Sequence, residues 1–199
     1  MTFKDVMDKA VNAYGDKLAI KDDEVKYTYR ELDAVTSKIA GNLRLFGIEK
    51  QDKVCIILPN CVETVLIFWS IGKAGIVGVM TNPLYSESEL IHQITDSDSK
   101  TVITTDILLP KIKAIQPTVQ LKNIFVVKFS DEEIKYDKTI RPWSDLLVDN
   151  RGYFCDTIDP YNDLALLQYT GGTTGISKGC MLTQSNLICN AYQYEQVFM

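Results

Sequence analysis

One rhythm sets the middle of this chain. Apolar runs rich in β-branched residues recur about every 23 residues, at Lys53–Leu58, Ile76–Met80, Thr101–Thr104 and Ile124–Lys128. Each gap holds one helix-length segment. A hairpin needs only a few residues between its strands, whereas a parallel crossover needs a dozen or more. Strands spaced this way predict parallel βαβ units with right-handed crossovers. Helices cover both faces of such a sheet, so its strands read as solid apolar runs rather than alternating ones. The expected fold class is α/β, a parallel βαβ sheet layered with helices.

Capping residues mark the helices. Thr2 precedes a helix over Phe3–Tyr14, whose Phe3, Val6, Met7, Ala10, Val11 and Tyr14 share a face, and Gly15 stops it. Leu18–Ile20 and Val25–Tyr27 predict a hairpin around Asp22-Asp23-Glu24. Thr28-Tyr-Arg-Glu31 is a capping box, opening a helix striped by Leu32, Val35, Ile39, Leu43 and Phe46 and ended at Gly47. Asn60 with Glu63 reads as a further cap pair for a helix over Cys61–Ala74, and Ser86 with Glu89 opens one to about Asp96. A helix blurred by Pro110 ends near Pro117. Residues 129–163 lose the rhythm and predict loops, with a short helix around Trp143–Val148. Order returns at Leu164–Thr170, an apolar strand leading directly into a glycine-rich turn. Thr183 caps a last helix from Gln184. The expected division is an α/β subdomain over residues 1–163, then a strand, loop and helix start over residues 164–199.

Charge and cysteine content exclude several functions. Lys plus Arg total 21 against 26 for Asp plus Glu, a net charge of −5, which disfavours binding driven by nucleic-acid phosphates. Five cysteines (Cys55, Cys61, Cys155, Cys180, Cys189) form no CxxC, and His92 is the single histidine. No zinc site at the usual spacings can be built, so no metal-ligating residue is assigned. Unpaired thiols fit a reducing compartment, and the expected location is cytoplasmic. The first residues lack the apolar core of a secretory signal. Val65–Met80, the most apolar stretch, carries Lys73 and falls short of the roughly 20 residues that span a bilayer. It reads as a buried helix running into a strand, which leaves peripheral membrane contact open. His92 reads as a surface or satisfied histidine, Trp69 and Trp143 as packing residues, and the acidic runs at 22–24 and 131–133 as solvated turns.

The chemistry concentrates in Tyr169-Thr-Gly-Gly-Thr-Thr-Gly-Ile-Ser-Lys178-Gly-Cys-Met-Leu-Thr183. Glycines let successive backbone amides converge on one oxyanion. Thr170, Thr173 and Thr174 add hydroxyls, and Lys178 adds a mobile charge. Together they suit a polyphosphate. The stretch is not a Walker loop, because Ser177 rather than Gly precedes Lys178. GxGxxG is absent too, which removes the main support for a dinucleotide fold.

Residues Tyr169 to Gly179 resemble the phosphate-loop signature of the adenylate-forming superfamily, close to Tyr-Thr-(Ser/Gly)-Gly-Thr-Thr-Gly-x-Pro-Lys-Gly. Thr28-Tyr-Arg-Glu-Leu-Asp33, Leu58-Pro-Asn60, Lys73-Ala-Gly75 and Asn82-Pro-Leu-Tyr85 are similar to further landmarks of that family, in the same order. Gly171 and the Asn82–Tyr85 segment resemble medium- and long-chain fatty acyl-CoA synthetases. Three positions depart from the pattern: Ser177 replaces Pro, which should loosen the loop, Cys180 replaces a small apolar residue, and Gln184 replaces His.

The resemblance implies that Thr170, Gly171, Gly172, Thr173, Thr174, Gly175 and Lys178 hold ATP phosphates, and that Gln184 is a candidate for the acyl or thiol pocket. It implies ATP with Mg²⁺ and coenzyme A as co-substrates, and a small carboxylic acid as the acid substrate. No catalytic residue maps onto this chain. The family's acidic Mg²⁺ and adenine segment, its ribose-binding Asp, its hinge and its catalytic lysine all come later. The chain is therefore expected to be the N-terminal part of an acyl-CoA ligase, inactive alone and prone to self-association. Two alternatives stay open: an aryl-acid or amino-acid adenylating domain, and a non-catalytic interaction module.

Overall fold

The computed structural model describes residues 1–23, 25–149, 157–170 and 177–198. In chain order the elements are α1 (Phe3–Tyr14), β1 (Leu18–Asp22), β2 (Val25–Thr28), α2 (Tyr29–Leu45), β3 (Lys53–Ile57), α3 (Val62–Ala74) and β4 (Val77–Met80). There follow α4 (Glu87–Asp96), β5 (Thr101–Thr105), α5 (Leu109–Ile115), β6 (Asn123–Val127), β7 (Ile140–Pro142), β8 (Leu164–Thr170), β9 (Lys178–Thr183) and α6 (Gln184–Phe198). Trp143–Leu147 form a single 3-10 turn.

The caps work as the sequence predicts. Thr2 with Asp5, Thr28 with Glu31 and Ser86 with Glu89 each form a complete capping box. The expected pair at Asn60 and Glu63 does not form. Cys61 takes the extended cap position of α3 and gives no side-chain bond to the helix backbone; its thiol lies 3.3 Å from Thr64 Oγ1, whose hydroxyl donates to the Pro59 carbonyl at 2.6 Å. Gly47 and Gly75 both adopt positive φ, at 76° and 66°, and end α2 and α3 as left-handed terminators.

Among the described residues one seven-stranded sheet has the order β7-β6-β5-β3-β4-β8-β9, and β1 and β2 form a separate antiparallel pair. Every neighbouring pair from β7 to β8 is parallel. Alternate residues of each strand feed two cores. Val54, Ile56, Ile103 and Phe125 pack with Leu32, Ile39, Leu66 and Ile71 from α2 and α3. Cys55, Ile57, Val102 and Ile124 pack with Leu90, Ile94, Leu109 and Ile112 from α4 and α5. Burying such a side chain contributes about 1.5–3 kcal/mol.

Two strands were not anticipated. β7 is three residues long, too short to show a period. β9 is an edge strand that pairs antiparallel with β8, and most of its residues are at least partly exposed. The glycine-rich segment therefore lies within a β8–β9 hairpin instead of leading straight into a helix. No helix of the described residues is long and apolar enough to cross a membrane.

Candidate nucleotide site

β8 runs parallel to β4 and ends at Thr170, so the segment after it emerges at the carboxyl edge of the parallel strands. That edge is where open α/β sheets bind ligands, because loops meet there without closing over one another. Thr170 and Lys178 face each other as the last cross-strand pair of the β8–β9 hairpin. Both are exposed. Gly171, Gly172, Thr173, Thr174 and Gly175 lie outside the described residues. What is described is the neck that carries them.

The neck is tied in three places. The Ser177 hydroxyl donates to the Thr170 carbonyl at 2.8 Å, joining the two strands where the segment leaves them. This bond counters the loosening expected from a Ser in the usual Pro position. The Ser177 carbonyl lies 2.9 Å from His92 Nε2 on α4. One turn further along α4, Asp96 accepts the Tyr169 hydroxyl at 2.5 Å. Burial pushes the Tyr169 phenol upward, and the Asp96 carboxylate adds to the rise, so the phenol keeps its proton and stays a donor. A Cβ on Gly179 would lie 3.0 Å from the Tyr169 ring, so glycine there lets the ring lie close against β9.

The sequence reading did not bring His92, Tyr169 and Asp96 together. The available signal was the spacing of His92 and Asp96, which puts both on one face of α4.

Gln184 lies apart from this neck. It follows the far end of β9, whose first residue is Lys178, and a strand of that length separates the two by about 17–20 Å. Gln184 is 1% exposed. Its Oε1 accepts from Phe3 N at 2.7 Å, and its Nε2 donates to the Gly72 carbonyl at 2.7 Å. Beside it, α1, α3 and α6 enclose an apolar cleft of about 440 Å³, with Phe3, Phe68, Trp69, Leu187, Ile188 and Tyr192 on its walls.

Among the described residues no three His, Cys, Asp or Glu side chains cluster as a metal site. Cys55, Cys61, Cys180 and Cys189 are free thiols. Burial pushes the Cys55 thiol up to about 12, which makes it inert as a nucleophile.

Comparison with known proteins agrees with this geometry. A family model described as AMP-binding enzyme matches residues 7–199. A long-chain-fatty-acid–CoA ligase of Bacillus subtilis is 32% identical over 210 residues, covering 95% of this chain and 38% of that protein. A 4-coumarate–CoA ligase of Solanum tuberosum is 32% identical over 167 residues, covering 84% of this chain and 29% of that protein. The crystal structure of a long-chain-fatty-acid–CoA ligase from Archaeoglobus fulgidus superposes with a TM-score of 0.83 at 28% identity, over 97% of this chain and 39% of its own. The chain thus spans less than two-fifths of the length of these relatives. A parallel sheet that delivers this signature at its carboxyl edge, and a family match over nearly every residue, place the chain in the AMP-binding, adenylate-forming enzyme family, where it is similar to the amino-terminal region of acyl-CoA ligases.

Proposed function

We propose that the protein carrying this chain is an ATP-dependent, AMP-forming ligase that joins a medium- or long-chain fatty acid to coenzyme A in the cytoplasm. The carboxylate oxygen attacks the α-phosphorus, and the bond to the bridging oxygen breaks, releasing pyrophosphate. The thiolate of coenzyme A then attacks the acyl carbonyl and AMP leaves. One observation carries the reading: β8 brings the phosphate signature to the carboxyl edge of the sheet, with exposed Lys178 opposite Thr170 at its neck.

In this reading Thr170, Gly171, Gly172, Thr173, Thr174, Gly175 and Lys178 bind the β- and γ-phosphates. Their work is to orient the leaving group and to stabilise its charge. Lys178 fits that work because an exposed ammonium at a strand end can swing toward phosphate oxygens. Mg²⁺, when bound, would neutralise phosphate charge, and the acidic residues for it lie outside this set. The 32% identity to a 4-coumarate–CoA ligase supports a second reading, an aryl acid in place of the fatty acid.

The test is ATP–pyrophosphate exchange by the whole protein against fatty acids and aryl acids. Exchange with fatty acids supports the first reading, and exchange with aryl acids alone supports the second. Lys178→Ala should slow exchange roughly 10–10³-fold, by analogy with the loss of an oxyanion donor. No exchange with any acid, or an unaffected Lys178→Ala enzyme, would reject the proposal.

A further inference from the structure

We propose that His92 is a positioning residue for the phosphate segment, holding Lys178 in place through the Ser177 carbonyl. The inference rests on the reading of residues 170–178 as that segment. A carbonyl oxygen only accepts, so Nε2 of His92 carries the proton in their 2.9 Å contact. The peptide unit is planar, and the Ser177 carbonyl shares its plane with the Lys178 amide. Fixing that oxygen therefore fixes the Lys178 amide and Cα, and the pairing of Lys178 with Thr170 in the strand then sets the direction in which its side chain leaves β9.

His92 is itself braced. Its ring meets the Tyr169 ring edge-on, with centroids 6.5 Å apart and planes at 89°. The Tyr169 hydroxyl is held by Asp96, one helical turn beyond His92. Thus α4 grips the end of β8 through Asp96 and the start of β9 through His92. The Ser177–Thr170 bond closes the same neck from the strand side. A ring nitrogen suits this task better than a lysine, because imidazole has two rotatable bonds to order and a lysine side chain has four.

A histidine that merely stabilised the fold would affect ATP and acid alike. A positioning role predicts a split between them. In the whole protein, His92→Phe should raise KM for ATP about tenfold in pyrophosphate exchange, while KM for the fatty acid stays within about twofold. His92→Gln carries an amide donor where Nε2 stood and should recover most of the loss. If the Phe variant does not fold, His92→Asn replaces it, since its shorter amide stops short of Ser177.

Equal behaviour of the Gln and Phe (or Asn) variants would overturn the inference. So would wild-type KM for ATP in the variant without the donor, or equal shifts in both KM values. If the wild type exchanges pyrophosphate with no acid, the functional reading fails, and calorimetric titration with ATP decides the inference separately. Weaker binding by the donor-less variant, restored in His92→Gln, supports it. Equal binding, or no binding even by the wild type, overturns it.

Discussion

Lys73 Nζ sits 2.6 Å from Asp33 Oδ1 and joins α3 to α2 beneath the sheet. Lys73 is 1% exposed, and the Asp33 carbonyl, Thr36 Oγ1 and Ser37 Oγ also surround its ammonium at 2.9, 2.7 and 3.0 Å, so that its three N–H donors are shared among four acceptors. Burial pushes its pKa down from the ordinary 10.5, and Asp33 pulls it back. This is why a lysine stands in the most apolar stretch of the sequence: it is wired to α2, not turned to solvent.

Removing the two partners should therefore have unequal effects. Asp33→Ala leaves a cation in the interior without its nearest carboxylate and should cost about 3 kcal/mol in urea unfolding. Lys73→Met leaves a carboxylate that water can reach, and should cost about 1 kcal/mol. The double variant should be more stable than Asp33→Ala alone. A double variant weaker than either single one would show that the two side chains contribute independently, and would refute the buried-charge account.

Asp106 gives a pH-dependent prediction at the carboxyl edge. Its Oδ1 accepts from Ile107 N and Phe129 N, both at 3.0 Å, and its Oδ2 accepts from Ser130 N at 2.8 Å and Ser130 Oγ at 2.7 Å. Burial pushes the carboxyl up, but these donors together outweigh it and hold the pKa below the ordinary 3.8. Between the lowered value and 3.8 the unfolded chain binds more protons, so stability rises with pH there. The contribution is full above 3.8 and is lost as pH falls through the folded value. Asp106→Asn turns an amide donor toward backbone donors and should cost about 2 kcal/mol at neutral pH. The gap from wild type should close as pH falls below 3.8 and through the folded value. A gap that stays constant across that range would refute this account.

The elements that follow local rules were legible in the sequence. A capping box involves four consecutive residues, so Thr2, Thr28 and Ser86 announced α1, α2 and α4 without reference to the rest of the chain. β3 to β6 were legible because both of their faces are buried. β9 was not, since a half-exposed edge strand beginning Lys178-Gly179 shows neither a solid run nor a clean alternation. The glycines and hydroxyls after β8 drew attention to residues 170–178 from the sequence alone, and their phosphate role stays a proposal. His92 was not legible, because its partner is a main-chain carbonyl 85 residues away, and every residue has a carbonyl. The clamp made by Gln184 was hidden for the same reason, as both of its partners are backbone atoms.

Those two partners make Gln184 a clamp whose removal should be costly. Phe3 N belongs to the first turn of α1, where amides have no acceptor within the helix. The Gly72 carbonyl lies in the last turn of α3, where carbonyls have the opposite shortage. One amide side chain on α6 answers both, in a place water does not reach. Gln184→Ala strands the Phe3 amide and leaves the Gly72 carbonyl only a long 3.5 Å contact from Gly75 N, so it should lower stability by about 1–3 kcal/mol. Gln184→Glu keeps the acceptor for Phe3 but turns a second oxygen toward the Gly72 carbonyl. A carboxyl buried there should have its pKa raised above the ordinary value of about 4.3, so the variant's deficit should grow as pH rises past that value. Below it the protonated carboxyl can donate to Gly72, and the deficit should shrink. Denaturant unfolding of the wild type and both variants from acid to neutral pH measures this directly. A Gln184→Ala variant within about 0.5 kcal/mol of wild type would show that the clamp is replaceable by packing alone.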